Sequence, residues 1–250
     1  MKMIVQNLAI EYRDEGSGPV LLFLHGWKDS LHTFDLLVPL LSADYRIIRL
    51  DLPGFGESEA PRTAWHVDDY AECVAECIKK LGINVGVIVG HSLGGRIVLK
   101  GIAANILDAQ KIILIASAGI AERNTFRILF FRVLAKIGRL ATAVPPFGFF
   151  RELLRKRLYG GLESDYLSAG PLKETFLNII NEDLSASAKM VTKPALLIWG
   201  SEDTQTPLQD GKRLATFIPG AALEVIPGSG HFVHQEKPAE VAGLIRKFAS

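Results

Sequence analysis

The chain has 250 residues, 48% of them hydrophobic and 22% charged, with a net charge of +1, so it carries enough apolar surface for a sizeable core and has no compositional sign of disorder. A charge so near zero argues against whole-molecule attraction to nucleic acid or anionic lipid, and no nucleic-acid-binding motif occurs. The start, MKMIVQNLAIEYRDEG, lacks the apolar core of a signal peptide, and no run of eighteen apolar residues exists, so the expectation is a cytoplasmic protein without integral membrane association.

In chain order, Ile4 to Tyr12 reads as antiparallel strand at a sheet edge. Val20–Leu24, Tyr45–Leu50, Val85–Val89, Lys111–Ile115, Ala195–Trp199 and Leu223–Ile226 are short, nearly continuous apolar runs, the pattern of parallel strands buried on both faces. Between them, Leu31–Leu41, Val67–Leu81, Gly94–Asn105, Asp210–Phe217 and Pro238–Phe248 have helical periodicity. The alternation predicts an α/β class with a doubly wound, mostly parallel sheet. Cys73 and Cys77 lie four apart in a predicted helix with no partner at ligand spacing, and are read as packing residues; no metal site is expected.

Residues 119–189 break the alternation. They hold aromatics, arginines and the Pro145-Pro146 break but no strand pattern, and are too apolar for a linker. The expected organisation is a core of 1–118 and 190–250 with a helical lid inserted after the sixth core strand. Within the lid, Phe126 to Ala141 reads as an amphipathic helix, and nine basic residues between Arg123 and Arg157 face one acid, Glu152. Its apolar arc, with Phe130, is the candidate roof of a binding site; contact with a membrane surface through the basic face is the alternative.

The chemistry-bearing sequence is Gly90-His91-Ser92-Leu93-Gly94, a G-x-S-x-G motif between a predicted strand and helix. Such a sharp turn presents the serine hydroxyl, and the following helix N-terminus favours developing negative charge. A serine needs a base within hydrogen-bond reach. His231, in a glycine-bounded loop after the last predicted strand, is the candidate, with His234 its nearest competitor; His25 and His91 are read as structural, and His32 and His66 as solvent or capping residues.

HGW (His25–Trp27), DLPGFGES (Asp51–Ser58), GHSLGG (Gly90–Gly95), GSEDTQTP (Gly200–Pro207) and GSGH (Gly228–His231) resemble, in order and spacing, the motifs of the α/β-hydrolase family. The resemblance implies a serine hydrolase of carboxylesterase type, needing no cofactor, with Ser92 as nucleophile, His231 as base and Asp203 as the carboxylate orienting it; the adjacent Glu202 is read as solvated. It places the oxyanion donors at the backbone N–H groups of Leu93 and Trp27; the alternative for Trp27 is an apolar wall of the pocket, and the two readings are compatible. The implied partner is a small-molecule ester. Phe232 is a candidate substrate contact. Arg96, one turn after Ser92, is either a substrate-carboxylate ligand, as in relatives resembling the menaquinone-pathway synthase, or a surface salt-bridge residue. The first of these would favour carbon–carbon bond hydrolysis or lyase chemistry. A third class is a triad-bearing receptor with little turnover.

Overall fold

The computed structural model describes residues 1–120 and 169–250. Eight strands form one sheet: β1 (Lys2–Val5), β2 (Leu8–Gly16), β3 (Val20–Leu24), β4 (Arg46–Leu50), β5 (Val85–His91), β6 (Lys111–Ile115), β7 (Ala195–Gly200) and β8 (Ala222–Ile226), in the spatial order β1-β2-β4-β3-β5-β6-β7-β8. β1 and β2 form an edge hairpin, turning at Gln6 and Asn7 with φ of 49° and 61°, the twist that two-residue hairpins require. β2 joins β4 antiparallel, and all later pairings are parallel.

The two-residue period of each strand divides the core between the two faces of the sheet. Leu22, Leu24, Ile88, Ile112, Leu114, Leu197 and Trp199 point into one apolar cluster; Leu21, Phe23, Val87, Val89, Ile113, Ile115 and Ile198 point into the other. The first is covered by helices α2 (Val67–Leu81) and α3 (Leu93–Ala103), the second by the C-terminal helix Pro238–Ala249 and the segment around Phe34 and Leu41. Such two-sided burial is why the strands lack polar alternation.

The segment Leu31–Leu41 differs from the single helix that its periodicity suggests. It forms a 3₁₀ turn, Leu31–Phe34, then the short helix α1, Val38–Leu41, with Pro39 in its first turn. Two forces break it: Pro39 has no N–H to donate, and the buried Arg49 guanidinium takes the Leu31 carbonyl at 3.0 Å while pairing with Asp35 and Glu15.

Between β6 and β7 the described residues contain a 3₁₀ turn (Gly170–Leu172) and helices α4 (Lys173–Asn181) and α5 (Ser185–Met190). Leu172, Ile179, Leu184 and Ala188 from this stretch join the first core cluster. Most of the expected lid, including the segment Phe126–Ala141, the basic run and Phe130, lies outside the described residues. Helices α6 (Leu208–Phe217), α7 (Val233–Glu236) and α8 (Pro238–Ala249) complete the chain. Among the described residues, no helix is long and apolar enough to cross a membrane.

Candidate active site

Ser92 is the single residue between β5 and α3, at φ 50° and ψ −106°, a backbone conformation that a residue with a Cβ adopts only under strain. The flanking glycines make the turn sterically feasible. A Cβ on Gly90 would stand 2.5 Å from the Gly94 carbonyl oxygen, and one on Gly94 would stand 2.1 Å from the carbonyl oxygen of Leu24, so α3 starts in contact with the end of β3. That contact brings the HGW loop to the serine. The Gly94 N–H donates to the His25 carbonyl at 3.0 Å, and a Cβ on Gly26 would lie 3.3 Å from the Ser92 Cβ. Leu93 opens α3, so its N–H belongs to the first turn, whose amides lack intrahelical acceptors.

Asp203 and His231 come from the loops after β7 and β8. His231 Nδ1 and Asp203 Oδ2 are 2.9 Å apart, with the carboxyl side chain fully shielded and the imidazole nearly so. Asp203 Oδ1 accepts the N–H groups of Gln205 and Thr206, both at 2.9 Å, and Oδ2 also accepts the Thr206 hydroxyl at 2.7 Å. Burial pushes the Asp203 carboxyl upward, but the His231 hydrogen bond and charge, with the Thr206 donors, outweigh it and hold the pKa below the usual carboxylate value. With Nδ1 turned to Asp203, the other imidazole nitrogen is left for chemistry. Glu202, one residue earlier, is exposed, its N–H donating to the Ser229 carbonyl at 2.9 Å.

The competing histidines are occupied elsewhere. His234 is wholly buried, its Nε2 2.9 Å from the Thr33 hydroxyl, and burial followed by the nearby His231 lowers its pKa to about 3. His25 accepts the Leu52 N–H at Nε2, 2.9 Å, and donates from Nδ1 to the Gly26 carbonyl, 2.7 Å, which fixes the loop that carries Trp27. His91 donates from Nε2 to the carbonyl of His231, 3.1 Å. His66 caps α2 through its exchange with Asp69, and His32 pairs with Asp35 at the surface.

Aromatic side chains stand beside these groups. The Trp27 ring packs at 4.9 Å on Phe55 and 5.1 Å on Phe176, and Phe232 lies 5.3 Å from His91 and 5.4 Å, edge-on, from His231. Phe55 belongs to the DLPGFGES turn, held by Asp51, whose carboxylate accepts the N–H groups of Leu31 (2.7 Å) and Glu57 (2.8 Å).

Arg96 departs from the surface position considered for it. It is 6% exposed, and its Nη2 donates to the carbonyls of Ile179 and Glu182 at the C-terminus of α4. Burial lowers its pKa to about 10, against the opposing pull of Glu182 and Asp183. Adjacent Lys100 adds an ion pair with Glu182 at 2.7 Å. Arg96→Met is expected to cost about 2–3 kcal/mol of stability, because two buried carbonyls lose a charged donor, read as a lower denaturant midpoint, and to leave discrimination between anionic and neutral substrates unchanged. A KM rise confined to carboxylate-bearing substrates would instead put the guanidinium at the substrate.

Two participants escaped the sequence reading. Phe176 comes from α4 and carries no motif. Thr206 carries a weak signal: a threonine three residues after an aspartate and just before a proline is the setting of a side-chain-capped turn.

These features stand on the fold of a known family. The profile described as "Alpha/beta hydrolase family" matches residues 21–244, and the chain belongs to that family. A relative named "Uncharacterized hydrolase YugF" from Bacillus subtilis (strain 168) is 30% identical over 257 residues, covering 97% of this chain and 94% of its own. Among solved structures, an esterase (EaEST) from Exiguobacterium antarcticum superposes with a TM-score of 0.77 at 22% identity, covering 99% of this chain and 98% of its own. The enol-lactonase from Burkholderia xenovorans LB400 does so with 0.76 at 21%, covering 99% of both chains. At these identities the two structures speak for the fold alone.

Proposed function

We propose that this protein is a serine hydrolase that cleaves carboxylic esters of small to medium hydrophobic substrates through an acyl-enzyme intermediate. The observation that carries the reading is a buried imidazole–carboxylate pair in the loops after β7 and β8, on the same carboxyl edge of the sheet as the strained serine of the β5–α3 turn. In open α/β sheets, that carboxyl edge is where ligands bind.

In this reading Ser92 Oγ attacks the acyl carbon while His231 Nε2 takes its proton, and Asp203 stabilises the imidazolium through Nδ1. The N–H groups of Leu93 and Trp27 meet the oxyanion, a contribution of about 3 kcal/mol. Collapse expels the alcohol, protonated by His231; water, deprotonated by the same imidazole, then releases the acid. The aromatic group of Trp27, Phe55 and Phe176, and Phe232 beside His231, suit apolar substrates in this reading. The engagement of Arg96 Nη2 with the end of α4 favours the ester reading over the alternative, carbon–carbon cleavage in a carboxylate-bearing substrate.

The test is stoichiometric labelling by a fluorophosphonate, with turnover measured on short p-nitrophenyl esters and on a carboxylate-bearing diketone. Labelling lost in Ser92→Ala together with ester turnover supports the proposal. Turnover of the diketone alone, or of neither, overturns it in favour of carbon–carbon chemistry or a binding role. Asp203→Asn should lower turnover by roughly a thousandfold or more, since an amide enforces the wrong imidazole tautomer, while the exposed Glu202→Gln leaves it near the original value. Equal losses from both would refute the choice of carboxylate.

A further inference from the structure

Thr206 has every polar atom committed, and its N–H and hydroxyl both reach the Asp203–His231 pair. Its N–H donates to Asp203 Oδ1 at 2.9 Å, and its carbonyl accepts the buried indole N–H of Trp199 at 2.7 Å. Its hydroxyl oxygen lies 2.7 Å from Asp203 Oδ2, 3.2 Å from His231 Nδ1 and 3.1 Å from the Ala116 carbonyl oxygen. Pro207 follows directly, at φ −54°, and restricts the backbone of the turn.

The Ala116 carbonyl is offered from a costly conformation. Ala116 ends the pairing of β6 with β7, its N–H donating to Ile198 at 2.9 Å, and then turns at φ 44°. A side chain at positive φ is maintained only where its surroundings enforce it, and the Thr206 hydroxyl is among the groups that meet it here.

A hydroxyl has one proton and two lone pairs. Directed to Ala116, the proton leaves a lone pair for the Nδ1–H of His231, so that this N–H is shared between Oδ2 and Oγ1. Directed to Oδ2, it completes a set of four donors around the Asp203 carboxylate, with the N–H groups of Gln205, Thr206 and His231. Either way, the carboxylate and the imidazole meet a hydroxyl that itself sits at the Ala116 carbonyl, on a residue whose backbone N–H and carbonyl are both hydrogen-bonded.

We propose that Thr206 is a positioning residue that sets the orientation of Asp203 and His231 through its hydroxyl and anchors both to the end of β6. This rests on the serine-hydrolase reading above, which assigns those two residues their roles. The threonine acts through Asp203 and His231 and touches no reacting atom. Its removal should therefore depress kcat and leave KM in place, whereas a purely structural residue would change stability alone.

The experiment compares Thr206→Val, which keeps the volume and removes the hydroxyl, with Thr206→Ser, which keeps the hydroxyl and removes the methyl. The readouts are the fluorophosphonate labelling rate, kcat and KM on a p-nitrophenyl ester, and the downfield proton resonance of His231 Nδ1–H, assigned by its loss in His231→Ala. The valine variant should lose on the order of tenfold or more in labelling rate and kcat at unchanged KM, since misalignment of a reacting group by a fraction of an ångström is felt in rate. Its Nδ1–H resonance should move upfield, and the serine variant should recover most of both effects. Thr206→Ala carries the same expectation and serves if the valine variant does not fold. Unchanged rate and resonance in the variants lacking the hydroxyl, or equal losses in valine and serine, overturn the proposal. Absence of labelling at Ser92 in the unmodified protein is a different failure, that of the serine-hydrolase reading itself.

Discussion

Ser92→Ala is expected to lower turnover by at least about a thousandfold while leaving the fold in place. Alanine retains the Cβ, so the backbone at φ 50° is neither relieved nor further strained, and the contacts of Gly90 and Gly94 that shape the turn are untouched. What disappears is the atom that forms the covalent bond; the oxyanion donors and the apolar surround account for the activity that remains. Ser92→Gly should lose as much turnover yet gain about 1 kcal/mol in stability, because glycine accepts the positive φ without a Cβ clash. Steady-state rates on a p-nitrophenyl ester and denaturant midpoints measure the two effects. Near-original turnover in either variant would remove Ser92 from the chemistry.

The second large effect is a loss of stability on mild acidification. His25, His91 and His234 are all buried and all have pKa values depressed below the ordinary histidine value, chiefly by burial. For His91 the neighbouring His234, His231 and His25 add to the depression; for His25 the charges of Asp29 and Asp51 oppose it. A depressed histidine is neutral in the folded chain and becomes charged in the unfolded chain below about pH 6.5, so the unfolded state binds more protons and stability falls as pH falls. His234 alone contributes about 1.4 kcal/mol per pH unit between roughly pH 6 and its folded value near 3, and the other two act in the same direction. Asp203, Asp14 and Asp35, lowered by their partners, lose their contributions only below their unfolded value near 3.8, so pH 6 to 4.5 isolates the histidines. Denaturant midpoints across that interval should fall steeply, and His234→Gln, which keeps a polar group for Thr33, should flatten the slope. A flat profile between pH 7 and 5 would mean that these imidazoles are hydrated or charged in the fold.

Much of the site was legible because its parts sit at strand ends, and strand ends can be read from apolar runs closed by glycine. Val85–Val89 followed by Gly-His-Ser-Leu-Gly requires a tight strand-to-helix turn, and the observed φ at Ser92 is that turn's geometry. The resemblance of Gly200–Pro207 to the family's motif pointed to Asp203 over Glu202, and the structure pairs Asp203 with His231 while Glu202 faces solvent. The edge hairpin and the two-sided sheet likewise followed from residue pattern, since a strand buried on both faces has no polar alternation to display.

The rest depended on contacts between residues far apart in the chain. The periodicity of Leu31–Leu41 is that of one helix, but Arg49, arriving from β4, takes the Leu31 carbonyl and Pro39 resets the start. Arg96 carries no local sign of whether its guanidinium ends in solvent, on a substrate or in the core; Ile179 and Glu182, more than eighty residues away, draw it inward because a helix C-terminus presents unpaired carbonyls. The GSGH motif singled out His231 over His234, and the structure adds a physical difference: the Nε2 of His234 is taken by the Thr33 hydroxyl, whereas His231 turns Nδ1 to Asp203. The sequence by itself determined the order of strands and helices and the family's motifs, since those follow from side-chain period and turn chemistry within a dozen residues. Only the tertiary structure decided where Arg96 spends its charge and that Thr206 reaches Ala116, Asp203 and His231 at once, because hydrogen bonds between distant segments exist only after the sheet has brought its strand ends together.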